Sequence, residues 1–221
     1  MQNEKEFCLE VWGDMACFTR PEFKVERVSY DIMTPSAARN IFQSVFWKPA
    51  IEWQVTSIEV LNPIQWTNIK TNETNWTASL RKGSVNTEDV RHQRNTHCLK
   101  DVRYRIRAIM TFVPPEKRTR PEEQQRKDET PEKYFSMFER RAGNGQCFMR
   151  PYLGLRQFPC FFRLIRSGEE PVPPIRETRD LGVMFYDYDY SRPKPEPMFF
   201  RAQMNDGTVT VPPCNGKEVL R

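Results

Sequence analysis

VWGDMACFTRPEFKVERVSYDIMTPSAARNIFQSVFWKP, residues 11–49, runs from the end of a strand through a basic and aromatic cluster into a helix, and this order organises the reading of the whole chain. Residues 7–12 alternate as a first strand. Thr34 can cap free helix amides and Pro35 suits the first helical position, so a helix is expected to start there. Ala38, Ile41, Phe42, Val45 and Phe46 recur at helical spacing and predict one buried face, and Pro49 sets the limit of the helix.

Downstream, Ile51, Trp53 and Val55 share one parity while Ile58 and Val60 take the other, so the second strand is expected to change face through a bulge or twist. Residues 66–97 are polar and weakly periodic, and read as a long insertion. Val102, Tyr104, Ile106, Ala108, Met110 and Phe112 alternate through a third strand whose other face carries Arg103, Arg105 and Arg107. Residues 114–129 contain no apolar residue beyond proline and are expected to form a loop or flap. Thr130-Pro131-Glu132 opens a second helix that buries Tyr134, Phe135, Met137 and Phe138 and stops at Gly143-Asn144-Gly145. A fourth strand is expected at 158–165.

Strand, helix, strand, strand, helix, strand is the α+β, ferredoxin-like order, which RNA-recognition motifs share. Three further strand-like runs at 182–190, 198–204 and 207–211, with Asp206-Gly207 as a hairpin turn, predict a small β-rich carboxyl-terminal extension. The expected division is a core at 1–166, carrying polar insertions at about 66–97 and 114–130, and an extension at 167–221.

With 221 residues and 38% hydrophobic content, the chain can bury one substantial core without a second domain. A formal charge of +5 is modest, so attraction to a polyanion depends on how Lys and Arg cluster. Six scattered cysteines without a Cys-x-x-Cys pair argue against a zinc site and a disulfide scaffold. They read as free thiols of a cytoplasmic protein. No apolar run approaches the ~18 residues a membrane helix needs.

Three basic clusters are candidate nucleic-acid contacts. Alternate residues on a strand lie roughly 6.6 Å apart, near the phosphate repeat of an extended single strand, so Arg103, Arg105 and Arg107 could each meet one phosphate. The competing reading is a solvated sheet face. Arg20, Lys24 and Arg27, interleaved with Phe23 and Tyr30, could pair phosphates and stack bases. Arg91, Gln93 and Arg94 make a third candidate.

Cutting RNA without a metal needs a base for the 2′-hydroxyl, an acid for the leaving oxygen and a cation for the phosphorane. His92 and His97 both fall in the polar insertion, where solvated loop histidines are the simpler reading. Lys133 in the first helical turn opposes the helix dipole, yet helps the neighbouring amides to hold an anion. A surface lysine paired with Glu129 or Glu132 is the alternative. No Ser-His-Asp arrangement, phosphate-binding Gly loop or metal-spaced carboxylate set is apparent, and no cofactor or metal is expected.

The opening stretch, together with Lys70-Thr71-Asn72-Glu73, Leu99-Lys100-Asp101-Val102, Arg156-Gln157-Phe158-Pro159 and Asp180-Leu181-Gly182, resembles the CRISPR-associated Cas-five family of the type I-C system, subtype d or Dvulg. The resemblance spans nearly the whole chain. It implies an RNA-recognition-motif core, metal-independent cutting of precursor CRISPR RNA at the base of the repeat hairpin, and retention of the 5′ handle. It also implies assembly with the backbone and large subunits of a DNA-surveillance complex. The implied catalytic set is an aromatic or histidine just before Trp47-Lys48-Pro49 and a Lys-His pair opening the second helix. Lys133 matches the lysine, whereas Phe46 has no exchangeable proton and Tyr134 replaces the histidine.

These departures leave an endoribonuclease that uses Lys133 on the phosphorane and Tyr134 in proton transfer, or a non-catalytic subunit that only binds RNA. A nuclease using a divalent metal on Asp128, Glu129 and Glu132 is a third reading. Double-stranded DNA also suits such a basic surface, although no groove-reading element stands out.

Overall fold

The computed structural model describes residues 3–23, 25–74, 76, 83–118, 129–169, 172–191 and 193–221. The first strand, β1 (Glu4–Ala16), extends beyond the expected 7–12 at both ends. A two-residue strand, β2 (Arg27–Val28), precedes α1 (Pro35–Val45). Thr34 accepts a hydrogen bond from the Ala37 amide at 3.3 Å, and the buried face includes Ala38, Ile41, Phe42 and Val45, as the periodicity requires. Phe46 ends the helix and is itself fully buried.

The strand β3 (Ile51–Val60) pairs with β5 (Arg91–Phe112), and the register slips between Val55 and Ser57. That bulge exchanges the two faces, so residues of both parities, Trp53 and Val55 before it and Ile58 and Val60 after it, are buried. Among its described residues, the stretch expected as an insertion is largely strand. β4 (Gln65–Thr74) pairs with the first half of β5 from Gln65 opposite Lys100 to Thr74 opposite Arg91, forming a two-stranded arm. Apolar alternation marks a strand only where one face is buried. Here Asn68, Lys70 and Asn72 face solvent while Thr67, Ile69, Thr71 and Glu73 are half-buried, so the periodic signal is polar on both sides.

A 3-10 turn is formed at Pro115–Lys117, and α2 (Pro131–Gly143) starts where Thr130 accepts from the Lys133 amide at 3.4 Å. It buries Tyr134, Phe135 and Phe138, with Met137 only partly covered. The next strand, β6 (Phe161–Ile165), is shorter than expected because residues 153–160 form a loop pressed against the end of β1. Gly13 permits that approach: a β-carbon there would stand 2.7 Å from both the Leu153 side chain and the Pro159 carbonyl.

Four strands follow: β7 (Arg179–Asp189), β8 (Glu196–Asn205), β9 (Thr208–Thr210) and β10 (Val219–Leu220). Asp206 and Gly207 turn β8 into β9 with φ values of 46° and 71°, the positive-φ pair that the Asp-Gly dipeptide supplies. The sheet runs β10-β8-β9-β3-β5-β1-β6, with β7 beside β8, and β2 and β4 beside β5. Neighbours among β3, β5, β1 and β6 are antiparallel, and β9 joins the carboxyl-terminal strands to β3. The class is α+β, a mostly antiparallel sheet with two α-helices among the described residues.

Both helices cover one face. The Trp53 ring lies 4.8 Å from those of Phe42 on α1 and Phe138 on α2, and Phe7 stands 4.7 Å from Phe138. Burying each such ring contributes ~2 kcal/mol. Phe138→Ala is therefore expected to remove about 3 to 5 kcal/mol of stability. Urea unfolding should show a lower midpoint at an unchanged slope.

Candidate nucleic-acid interface

Because β5 alternates, Arg103, Arg105 and Arg107 share the sheet face opposite the helices, beside Glu10 of β1 and Glu59 of β3. The spacing places them as expected, but they do not form an open ladder. Arg105 is 2% exposed, and its guanidinium donates to Glu59 and to the Val172 carbonyl. It is a buried ion pair that anchors the chain near Val172 over this face. Arg107 donates to the other Glu59 oxygen at 3.2 Å and remains 37% exposed. Arg103 donates to Glu10 at 2.7 Å and is equally exposed.

Glu10 is a partner of these arginines that the sequence reading did not single out. Its carboxylate is almost fully buried and accepts from Arg103 and, at 2.9 Å, from Arg163 of β6. Burial would push its carboxyl up, but the hydrogen bonds and charges of Arg163 and Arg103 prevail and hold it below the ordinary 4.5. The available signal was parity: Glu10 lies on the same strand face as Cys8 and Trp12, directly opposite Arg105.

The second and third clusters converge. Arg27 on β2 and Arg94 on β5 both pair with Glu73 of β4, and Arg94 also donates to the Val25 carbonyl at 3.3 Å. The Arg27 hydrogen bond is the main cause that holds the Glu73 carboxyl below its usual range. Residues 25–28 thus lie along the arm, with Arg91 exposed at the start of β5. The Arg20 amide donates to the Val28 carbonyl at 2.9 Å, but its side chain pairs elsewhere: it donates to Asp31 at 3.1 Å and sits 4.6 Å over the Tyr30 ring. Lys24 lies outside the described residues. His97 stacks on Trp66 at 4.5 Å and bonds Asn68 at 2.7 Å, and His92 is exposed opposite Glu73. Both histidines belong to the arm.

At the start of α2, Lys133 is exposed while Tyr134 turns inward beside Phe46 and Phe112, with ring centroids 6.2 and 5.7 Å away. The Tyr134 hydroxyl donates to Glu129, which is paired with Arg118 at 2.6 Å; both charged groups are nearly buried. Arg118 in turn donates to the Val113 carbonyl at 3.0 Å. Arg118 and Glu129 come from the charge-rich stretch expected to be a flap, of which residues 119–128 lie outside the described residues. The proton of Tyr134 is held by a carboxylate, and an ammonium group stands on the adjacent residue. Glu132 is exposed and Asp128 lies outside the described residues; among those described, no group of three or more His, Cys, Asp or Glu side chains is placed to hold a metal ion. No described helix is long and apolar enough to cross a membrane.

A family model described as CRISPR-associated protein (Cas_Cas5) matches residues 7–212. The chain belongs to the Cas5d family. A relative from Mannheimia succiniciproducens, named CRISPR pre-crRNA endoribonuclease Cas5d, is 42% identical, with 96% of this chain and 97% of the relative covered. Its counterpart of the same name from Thermus thermophilus is 36% identical, with 96% and 94% covered. Among solved structures, a CRISPR-associated protein superposes over the full length of both chains with a TM-score of 0.72 at 23% identity. A chain of a CRISPR RNA-guided surveillance complex gives a TM-score of 0.52 at 11% identity, with 96% of this chain and 95% of that one covered. These last two likenesses concern the fold.

Glu10→Gln is expected to lower stability by about 1 to 3 kcal/mol, since it leaves two guanidiniums without their charged partner. The sign with pH follows from the depressed carboxyl: its stabilisation is complete above the ordinary 4.5 and is lost as pH falls through the lower folded value. Thermal melts of the two proteins should therefore differ by a constant amount above pH 4.5 and approach one another as the pH falls below it.

Proposed function

We propose that the chain is a metal-independent endoribonuclease that cuts precursor CRISPR RNA at the repeat hairpin and retains the 5′ handle. The observation that carries this is the exposed Lys133 beside a Tyr134 whose proton is held by Glu129, on a chain similar along nearly its whole length to relatives named pre-crRNA endoribonucleases. In the proposed reaction the 2′-hydroxyl attacks the adjacent phosphorus. Its proton passes to Tyr134 Oη while the phenolic proton moves to Glu129, and Lys133 stabilises the charge on the phosphorane. The 5′-oxygen leaves with a proton from water, giving a 2′,3′-cyclic phosphate.

The strand order β6-β1-β5-β3 with two helices on one face supports a ferredoxin-like, RNA-recognition-motif core at 1–166 with a β-rich extension at 167–221. In this reading Arg27, Arg91, Arg94, Arg103 and Arg107 supply phosphate contacts, while Arg105 is structural. Arg20, held to Asp31, adjoins that track, and Lys24, outside the described residues, remains a candidate from the sequence. The chain would work in the cytoplasm as a subunit of the type I-C surveillance complex, beside its backbone and large subunits, with double-stranded DNA as a further ligand of the basic surface.

A second reading, a non-catalytic crRNA-binding subunit, is favoured by Phe46 and by a Tyr134 hydroxyl already committed to Glu129. Incubation with repeat RNA in excess chelator separates the readings. A cyclic phosphate end supports cutting, intact but shifted RNA supports binding alone, and cutting restored only by added metal supports a metal nuclease. Lys133→Ala is expected to slow single-turnover cleavage about 100-fold or more, and Tyr134→Phe by a similar factor. Unchanged rates in both would remove the proposed roles.

A further inference from the structure

The face that carries the arginine row also displays two aromatic rings that the core does not need. Trp12 of β1 and Phe161 of β6 lie side by side at 6.1 Å, nearly parallel with an interplanar angle of 22°. Phe161 is 47% exposed, and the Arg150 guanidinium stands 5.9 Å over its ring. Large rings left open on a sheet, next to fixed cations, are the physical make-up of a stacking platform for unpaired bases.

The surroundings are built rather than incidental. Arg103 and Arg163 border the rings, and both are locked by the buried Glu10. Beside Trp12 opens a hollow of about 440 Å³, whose rim includes Asp14, Asn62 and Asp101. Asn62 donates to the Asp101 carbonyl at 2.9 Å, which holds that turn against the hollow. Three carboxylates face two guanidiniums there, so the hollow is not suited to a phosphate. Exposed carboxylates instead accept from the amino and imino groups of a base edge.

We propose that Trp12 and Phe161 stack an unpaired RNA base whose amino-bearing edge meets Asp14 and Asp101 in the adjoining hollow. This rests on the reading that RNA is the ligand and adds a base-binding subsite on the sheet face opposite the helices. RNA is favoured over a protein occupant because the rings are flanked by guanidiniums already fixed in place by Glu10. The hollow beside them offers acceptors rather than an apolar cleft.

The test uses the full chain and a single-stranded octauridylate carrying one central 2-aminopurine riboside, at fixed salt. Stacking should quench the fluorophore on binding, and Phe161→Ala should weaken binding about tenfold and restore the fluorescence. Phe161→Tyr, which keeps the ring, should behave as the parent does. Asp14→Asn with Asp101→Asn should reduce the preference for the 2-aminopurine octamer over plain octauridylate. A fluorophore that stays bright in the complex, or equal binding by the parent and Phe161→Ala, overturns the proposal. So does a Phe161→Ala protein that binds the octamer normally but no longer associates with the other subunits, which would assign the rings to a protein contact. The readout is binding and not cleavage, so failure here leaves the Lys133 reading standing, and failure of Lys133→Ala to slow cutting leaves this subsite standing.

Discussion

Strand β5 is the constraint on which the rest of the molecule depends. It pairs with β1 and β3 along its second half and with β4 and β2 along its first, so one continuous backbone is both the centre of the sheet and the spine of the arm. A strand offers only two faces. Once Tyr104, Ile106, Ala108 and Met110 are buried under the helices, Arg103, Arg105 and Arg107 must share the other side. Three guanidiniums so close together repel one another unless acids intervene, and Glu10 and Glu59 from the flanking strands provide them.

That neutralisation divides the face into regions with different work to do. Around Arg105 it is closed: the Glu59 pair and the Val172 carbonyl seal the guanidinium, and the chain at Ile175 is tied to Val60 by a backbone hydrogen bond of 2.9 Å. Around Arg103 and Arg163 it stays open, with charge held in fixed directions by a carboxylate that has little access to water. A guanidinium pinned in this way loses little further freedom on meeting a ligand. At Glu73 of the arm, Arg27 and Arg94 follow the same design, two cations sharing one acid.

The start of α2 differs in kind. Thr130 caps the helix, Lys133 points outward, and Tyr134 is drawn into a buried polar triad with Glu129 and Arg118, walled by Phe46 and Phe112. Phe46 is packed in the core with Trp53, whose indole nitrogen donates to the Phe46 carbonyl at 3.2 Å. The aromatic residue before Trp47-Lys48-Pro49 therefore serves packing here, and the chemistry proposed for this end of the molecule falls to the polar residues that adjoin it.

Periodicity and capping in the chain alone determined both helices, the bulge in β3, the strand character of residues 102–112 and the Asp206-Gly207 turn, because each is a local pattern with a local physical cause. Lys133 was legible as a candidate from its place in the first turn after a Thr-Pro helix start, and Tyr134 only through the family resemblance, at the position where the Lys-His pair has its histidine. The arm was not legible, because a ribbon with polar residues on both faces lacks the apolar alternation that betrays a strand. Nor was the fate of Arg105, which shares its parity with two half-exposed neighbours and differs only in what folds over it. Only tertiary structure decided which arginines are sealed by Glu59 and Glu10, that Tyr134 meets Glu129 and Arg118, and that Trp12 and Phe161 become neighbours. Charge pairing and stacking depend on strands far apart in sequence being laid side by side, and no spacing along one strand encodes that.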